Sequence, residues 1–323
     1  MSGPLFWYRR CPHWSRLAIG LTVGAAAGAL AVWNVDLEHV WSVLERVSLW
    51  PLITAFCLVA VTQWIKIVRW QIIAGGREQL PAGLAWRGVL VGQAANLLLP
   101  ARAGDVVRAV LVGRRTNSGS IYTLYTVFIE KAWEAGMLLV CSALLLAYGP
   151  WPDWLSRWGV LASALSLVVL TAGVFGVLAC RNRLLVKSQQ YPWMTRFLVP
   201  ASQLSQTLAA AWHNGGLLRA GACSVGIWLL GLVINWTTFS ALGVSVHWSA
   251  SLLVLVAIYV GVVVPAPPGR VGLFHYVVRL ALTAYDVPDS QALACGVLLH
   301  LVVIVPLMIA GGVAALAGQG VHG

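Results

Sequence analysis

The residues of this sequence that could do chemistry are charged side chains within or beside long apolar segments. A charge at the centre of a membrane-spanning helix costs roughly 2.5 to 3.5 kcal/mol on insertion scales, so such residues need partners, a ligand or a wet cavity. The group has five basic and three acidic members: Arg102, Arg108, Lys131, Arg270 and Arg279, with Asp105, Glu130 and Glu134. Their excess of two positive charges favours an anionic ligand.

Two breaks rich in proline and glycine, LLLPARAG and VVVPAPPGRVG, contain two of these arginines. Each break follows an apolar stretch, 84–99 or 249–264, and precedes a short segment that can form a returning helix. The N-termini of the returning helices would point into the membrane, where their unpaired N–H groups and the helix dipole favour an anion. Arg102 and Arg270 lie beside these N-termini, and a guanidinium binds phosphate oxygens through two parallel hydrogen bonds. The residues that form or hinge the breaks are Asn96, Pro100, Gly104, Pro268, Gly269 and Gly272.

Other charged residues fall on helical segments that follow the first break. Asp105 and Arg108 are three residues apart, which suits an ion pair on one helix, although Asp105 also fits an ordinary carboxylate at a helix start. Glu130 and Glu134 share one helix face beside Lys131 and need an arginine or a proton to neutralise them. Two interpretations stay open: a buried lattice that only fixes the hairpin, or a lattice that rearranges around a ligand.

His275 and Arg279 are four residues apart on the second returning helix, so they share a face. We expect Arg279 to help bind the anion and His275 to support the charge network. A histidine on an apolar helix is more often a hydrogen-bonded core residue, and that role stays as the alternative.

The composition places these residues in a membrane protein. Hydrophobic residues make up 59% of the 323 residues and charged residues only 10%, which excludes a water-soluble fold. The six cysteines show no paired spacing, and the sequence contains no nucleotide-binding or hydrolase motif. We therefore expect no metal, no cofactor and no enzymatic activity.

Six apolar runs are long enough to cross a bilayer whose hydrocarbon core is about 30 Å thick: 17–35, 49–68, 120–147, 159–180, 217–241 and 290–317. If both interrupted segments are re-entrant hairpins, 14 basic residues lie on the cytoplasmic side and 2 on the other, with both termini cytoplasmic. Topology thus accounts for most of the net charge of +11, and a nucleic-acid partner is unnecessary.

An offset of 168 residues relates the two halves of the chain, because it places Gly104 on Gly272 and Pro100 on Pro268. The same offset brings span 49–68 onto 217–236. The sequence therefore predicts an all-α integral membrane protein with six full transmembrane helices and two re-entrant helical hairpins in an inverted repeat. The predicted repeats are 1–150 and 151–323, each with two spans, a hairpin and a final span.

Three sequence segments resemble one known family. NLLLPARAGDVVRAVLV followed by YTVFIEKAWEAGMLL resembles the N-x-x-x-P-x-R-x-G-(D/E) element and downstream Glu-Arg motif of the lysylphosphatidylglycerol synthase transmembrane-region family, the flippase-like domain of multiple peptide resistance factors. PAPPGRVGLFHYVVRLALTAYDVPDSQALACGVLLH resembles its second glycine element. Lys131 stands where that family usually has arginine, and His275 stands near a position that is often acidic. The chain is identified as a stand-alone member without a soluble synthase domain.

The resemblance implies movement of a lipid with an anionic or modified head group between the leaflets of a bacterial inner membrane. Arg102, Arg108, Arg270, Arg279 and Lys131 would then bind the phosphate of the head group. The alternative is a membrane scaffold that moves no lipid and serves a lipid-modifying or glycosyl-transferring enzyme as its partner. The sequence does not set the lipid, the direction or energy coupling of transport, or the oligomeric state.

Overall fold

The computed structural model describes residues 13–75, 80–99, 103–148, 192–261 and 267–317. These ranges are almost entirely helical and contain no strand. A short 3-10 turn, Pro268–Arg270, precedes the tenth α-helix. In chain order the α-helices are α1 (His13–Val32), α2 (Leu37–Leu44), α3 (Leu49–Ile73), α4 (Ala82–Leu98), α5 (Gly104–Gly113), α6 (Gly119–Tyr148), α7 (Pro192–His213), α8 (Gly216–Ala241), α9 (Trp248–Gly261), α10 (Leu273–Thr283) and α11 (Asp289–Leu316).

Five of the six predicted spans coincide with helices, namely α1, α3, α6, α8 and α11. The sixth, 159–180, lies outside the described residues. Three helices, α3, α8 and α11, are long and apolar enough to cross a membrane. Helix α6 has 30 residues but carries Glu130, Lys131 and Glu134 near its middle. The described part of the chain is helical without strands, and the chain is a multi-pass membrane protein. The number of six spans stays a prediction.

Contacts between loops and helix ends define two ends of the helical bundle. At the basic end, Tyr122 near the start of α6 donates to the carbonyl of Ala74 after α3 at 3.3 Å. At the acidic end, the N–H of Ser48 before α3 donates to the carbonyl of Ala241 in α8 at 2.7 Å. The ends are named for the side chains of their helix ends and loops, which include Arg87, Arg114, Arg115, Arg196 and Arg219 at one and Asp36, Glu38, Glu45, Asp286 and Asp289 at the other.

Helices α4 and α5 form an antiparallel hairpin that starts and finishes at the basic end. Gly92 of α4 lies against Arg108 of α5, and Gly104 at the start of α5 lies against Asn96. A side chain at Gly104 would overlap the carbonyl oxygen of Gly92, so the two backbones are in contact. Small residues allow helices in membranes to approach this closely.

Helices α9 and α10 form a second antiparallel pair, which starts and finishes at the acidic end. Gly261 of α9 lies against Val277 of α10. At the other end of the pair, the hydroxyl of Tyr285 donates to that of Ser249 at 2.8 Å. The two helix pairs therefore enter the bundle from opposite ends. Their re-entry into a membrane stays a prediction.

Helix α1 packs on the turn of the second hairpin through a stripe of glycines. Gly24 lies against the ring of Pro267, and Gly28 lies against the Cα atom of Gly272. Position 272 requires glycine because its φ is +86° and because a Cβ atom there would meet the backbone of α1.

The offset of 168 residues also relates the helix boundaries. The starts of α3, α4, α5 and α6 fall within two residues of those of α8, α9, α10 and α11 after this shift. The first equivalent pair, α3 and α8, makes the most extensive helix contact among the described residues. The largest apolar core lies beside this pair and is built mainly from α8, α9, α10 and α11. The predicted division at 150/151 lies outside the described residues and stays a prediction.

Candidate anion-binding cavity

A polar cavity of about 170 Å³ lies between the two hairpins and α3, α6 and α11. This volume is enough for on the order of a dozen water molecules. Its aliphatic lining residues are Leu97, Ile258 and Leu307. Its polar lining residues are Lys66, Gln93, Asn96, Asp105, Arg108, Glu130, Lys131, Glu134, Tyr259 and Arg270.

The ion pairs behind the cavity centre on Arg69 of α3, which is fully buried. Its Nη2 atom lies 2.9 Å from Glu130 Oε1 and 3.2 Å from Glu134 Oε1, one turn apart on α6. Its Nη1 atom donates to the hydroxyl of Ser224 on α8 at 3.1 Å. A single guanidinium thus contacts both carboxylates and ties α3 to α6 and α8.

Arg108 of α5 is the cation best placed to bind an anion. Its Nη1 atom lies 2.8 Å from Glu130 Oε2, and its guanidinium sits 3.5 Å from the ring centroid of Trp70. The Trp70 ring is itself fixed by donation from Nε1 to Thr126 at 3.0 Å. Arg108 is 3% exposed, yet its Nε and Nη2 atoms have no hydrogen-bond partner among the described residues. Buried donors without partners are costly, and Arg108 lines the cavity, so a small shift of its side chain toward a bound anion would supply the missing acceptors.

Two lysines line the same cavity and retain donors for a ligand. Lys131 donates to Glu134 Oε2 at 3.0 Å, and Lys66 makes a long contact of 3.4 Å with Gln93 Oε1. Gln93 in turn donates to Gln63 at 2.8 Å. An ammonium group has three N–H donors, so each lysine keeps two that these contacts do not use.

The first hairpin is locked at its tip by two hydrogen bonds between Asn96 and Asp105. Asn96 donates from Nδ2 to the Asp105 carboxylate at 3.0 Å and accepts from the Asp105 N–H at 3.2 Å. Asn96 therefore caps the first turn of α5, as its place before the break suggests. The predicted ion pair between Asp105 and Arg108 does not form. Asp105 bonds to Asn96 instead, and Arg108 pairs with Glu130 in the cavity wall.

The second hairpin brings Arg270 to the cavity through an unusual turn. Gly269 and Arg270 both have left-handed backbone, with φ of +71° and +57°, and such a conformation is uncommon for arginine. His300 of α11 bonds the carbonyl of Gly269 at 2.8 Å through Nε2. His275 accepts from the N–H of Gly272 at 3.3 Å, and the two imidazole rings lie 4.8 Å apart. These histidines hold the turn that carries Arg270, which follows Pro268 in the 3-10 segment.

The structure brings most of the predicted residues together but not all of them. Arg279 lies away from the cavity, where it pairs with Asp289 at 2.7 Å and donates to the carbonyls of Leu30, Ala31 and Trp33 at 2.9 to 3.1 Å. It satisfies the last carbonyls of α1, because three of them converge on one guanidinium. Arg279 therefore does not line the cavity, and its predicted role in binding the anion is wrong. Pro100 and Arg102 lie outside the described residues.

Sequence reasoning missed Lys66 and Arg69 as site residues, because it counted both among the 14 basic residues of the cytoplasmic side. That assignment is wrong for both, because α3 continues to Ile73 and packs these side chains inward. Their spacing of three residues, continued from Gln63, places them on one helix face. This spacing was the available signal. The described cluster has the predicted excess of two, with five cations and three carboxylates. Lys66 and Arg69 belong to it, and Arg279 does not.

Within the described part of the chain, no three histidine, cysteine, aspartate or glutamate side chains are grouped as a metal site would need.

The chain is similar to known proteins over most of its length. The glycosyltransferase AglD of Haloferax volcanii is 28% identical over 326 aligned positions, which cover 88% of this chain and 52% of AglD. The chain thus spans about half the length of this relative. No solved structure matches the chain. The family described as lysylphosphatidylglycerol synthase TM region matches residues 17–311, and the chain belongs to that family.

Proposed function

We propose that this protein is a lipid translocase that moves an anionic, phosphate-bearing lipid between membrane leaflets. The observation that carries the proposal is Arg108, which lines a cavity rich in cations and whose buried Nε and Nη2 atoms have no hydrogen-bond partner among the described residues. Desolvated guanidinium donors bind phosphate oxygens strongly. The match to the lysylphosphatidylglycerol synthase TM region supports a lipid as the source of that phosphate. The phosphate would occupy the cavity while the lipid tails stay in the bilayer.

The two hairpins suggest how the cavity would open to one leaflet at a time. The first hairpin supplies Arg108 and starts at the basic end, whereas the second supplies Arg270 and starts at the acidic end. Rocking of one half against the other is the usual motion of transporters with inverted repeats and broken helices. The α3–α8 contact would be the pivot, because these equivalent helices meet along much of their length.

The proposal also sets orientation and chemistry. The basic end would face the cytoplasm, since short cytoplasmic loops collect lysine and arginine, and the membrane would be a bacterial inner membrane. Glu130 and Glu134 would position Arg69, Arg108 and Lys131 rather than act on a substrate. The protein would need no cofactor and would make no covalent change to the lipid.

The test uses purified protein in vesicles that contain a tail-labelled anionic phospholipid, with a membrane-impermeant reductant to bleach the outer-leaflet label. We expect Arg108→Met to reduce the rate of lipid movement at least about tenfold, because one charge-assisted hydrogen bond contributes about 1.5 to 3 kcal/mol. Arg102→Ala and Arg270→Ala should also lower it. Arg219→Met is the matched control, since Arg219 is exposed at the start of α8. Wild-type rates in folded Arg108→Met protein would refute the site.

The second candidate is a membrane scaffold or partner subunit for a glycosyl-transferring enzyme. The similarity to part of AglD favours it, because this chain covers about half of a protein named as a glycosyltransferase. In that case the purified chain would move no lipid, and a partner enzyme would lose activity when the chain is removed. Lipid movement by the purified chain alone would decide for the translocase.

A further inference from the structure

We infer that the head group in the cavity carries two negative charges, as a phosphate monoester or a diphosphate, rather than the single charge of a phosphodiester. This inference rests on the proposed function, because it assumes that the cavity binds an anionic lipid. It names the chemical class of that lipid from the charges and donors of the site.

The first argument is the charge of the cluster. Lys66, Arg108, Lys131 and Arg270 line the cavity, and Arg69 contacts its carboxylates from behind. Only three carboxylates oppose these five cations, so the described cluster has an excess of two positive charges. The two breaks, 100–102 and 262–266, contain no acidic residue and one further cation, Arg102, so their sequence gives nothing that would lower this excess below two.

Excess charge at this depth needs compensation. Each uncompensated buried ion costs several kcal/mol even after relaxation of the protein. A monoanion would leave one positive charge unmatched, and a cationic head group would add to the excess. A dianion neutralises the described cluster.

The second argument is the number of hydrogen-bond donors. Arg108 has two buried nitrogen atoms, Nε and Nη2, without hydrogen-bond partners among the described residues, and Lys66 and Lys131 each keep two N–H donors. A phosphate monoester offers three strong acceptor oxygens, each with room for two donors. A phosphodiester has only two such oxygens, so it would leave part of this set unpaired. Charge and donor count thus indicate the same ligand class.

Lys131 and Glu134 provide the variants that test the charge argument. They pair with each other at 3.0 Å, so removing one changes the excess and removing both restores it. Lys131→Met leaves an excess of one, and Glu134→Gln raises it to three. The double variant Lys131→Met/Glu134→Gln keeps the excess at two while losing the same lysine.

The experiment measures binding to the purified full chain in neutral detergent. The probes are short-chain phosphatidic acid, which is a monoester, phosphatidylglycerol with the same tails, which is a diester, and inorganic phosphate. At pH 7 the monoester is mostly a dianion, because the second pKa of such a phosphate is about 6. We expect phosphatidic acid to bind at least about tenfold tighter than phosphatidylglycerol, the value of one charge-assisted hydrogen bond. Lys131→Met should reduce this ratio, and the double variant should restore it.

The outcomes separate this inference from the proposed function. Equal, measurable affinity for both lipids would overturn the dianion class and leave a lipid-binding protein. Binding of neither lipid would contradict the proposed function itself. Inorganic phosphate that binds as tightly as phosphatidic acid would overturn the assignment to a lipid and indicate a soluble phosphate ligand. A ratio in the double variant as low as in Lys131→Met would show that charge does not set the preference.

Discussion

Replacement of Arg69 by methionine tests the buried ion-pair cluster most directly. Methionine keeps much of the length of the side chain but removes a fully buried guanidinium that contacts Glu130 and Glu134. Breaking a buried ion pair by removing one partner costs about 3 to 5 kcal/mol. Both carboxylates retain a second cation, Arg108 at 2.8 Å and Lys131 at 3.0 Å. We therefore expect the lower end of that range, a loss of about 3 kcal/mol in the free energy of unfolding.

A double-mutant cycle separates the ion pair from the packing of the side chain. Glu134→Gln alone should cost about 1 to 2 kcal/mol, because Lys131 is partly exposed and can turn to water in the cavity. The double variant Arg69→Met/Glu134→Gln should lose about 1 to 2 kcal/mol less than the sum of the single losses. The measurement is reversible unfolding in detergent, followed by circular dichroism, with Arg219→Met as the exposed control.

Two results would refute this reasoning. A change below about 0.5 kcal/mol for Arg69→Met, the size expected of an exposed substitution, would show that the guanidinium is not needed for stability. Strict additivity in the cycle would show that Arg69 and Glu134 do not interact, whatever their separation.

Three further predictions concern the hairpins and the orientation of the chain. Gly104→Ala should destabilise the protein by about 1 to 3 kcal/mol in thermal unfolding, because the added methyl group overlaps the backbone of α4. Gly136→Ala is the control and should be neutral or stabilising, because the space around Gly136 is open. Equal effects of the two substitutions would contradict the close contact between α4 and α5. His300→Leu should weaken anion binding as much as Arg270→Ala does, because Gly269 loses its hydrogen bond, and His300→Gln should restore part of it; unchanged binding in His300→Leu would show that the histidine does not hold the turn. A cysteine at exposed Asn117 should be labelled only from the cytoplasm and one at exposed Ser245 only from the opposite side; labelling of both from one side would overturn the inverted topology.

The first hairpin shows how much of the site local sequence can predict. Asn96 before the break, glycine at 104 and Arg108 one turn into the returning helix are all close in sequence. Their contacts therefore follow from helix geometry and from the break itself. The helix boundaries of α6, α8 and α11, and the start of α3, are predictable for a similar reason, because apolar length is a local property.

The residues that were misplaced have partners far away in sequence. Arg69 meets Glu130 and Ser224, which are 61 and 155 residues away, and Arg279 meets the end of α1, more than 240 residues away. A count of basic residues along the sequence places Arg69 on the cytoplasmic side because it lies near the end of a span, and places Arg279 at the site because it lies near a break. Only tertiary packing shows that Arg69 lies inside the cluster and that Arg279 caps another helix.

The contact between Gly28 and Gly272 has a consequence for biogenesis. The two glycines meet across 244 residues of sequence, so α1 is made long before the turn that covers it. At about 5 to 20 residues per second of synthesis, the glycine stripe of α1 waits roughly 12 to 50 s for its partner. The second hairpin and α11 are also the last of the described elements to leave the ribosome. Insertion of the described helices is therefore incomplete until the turn of the second hairpin has packed against α1.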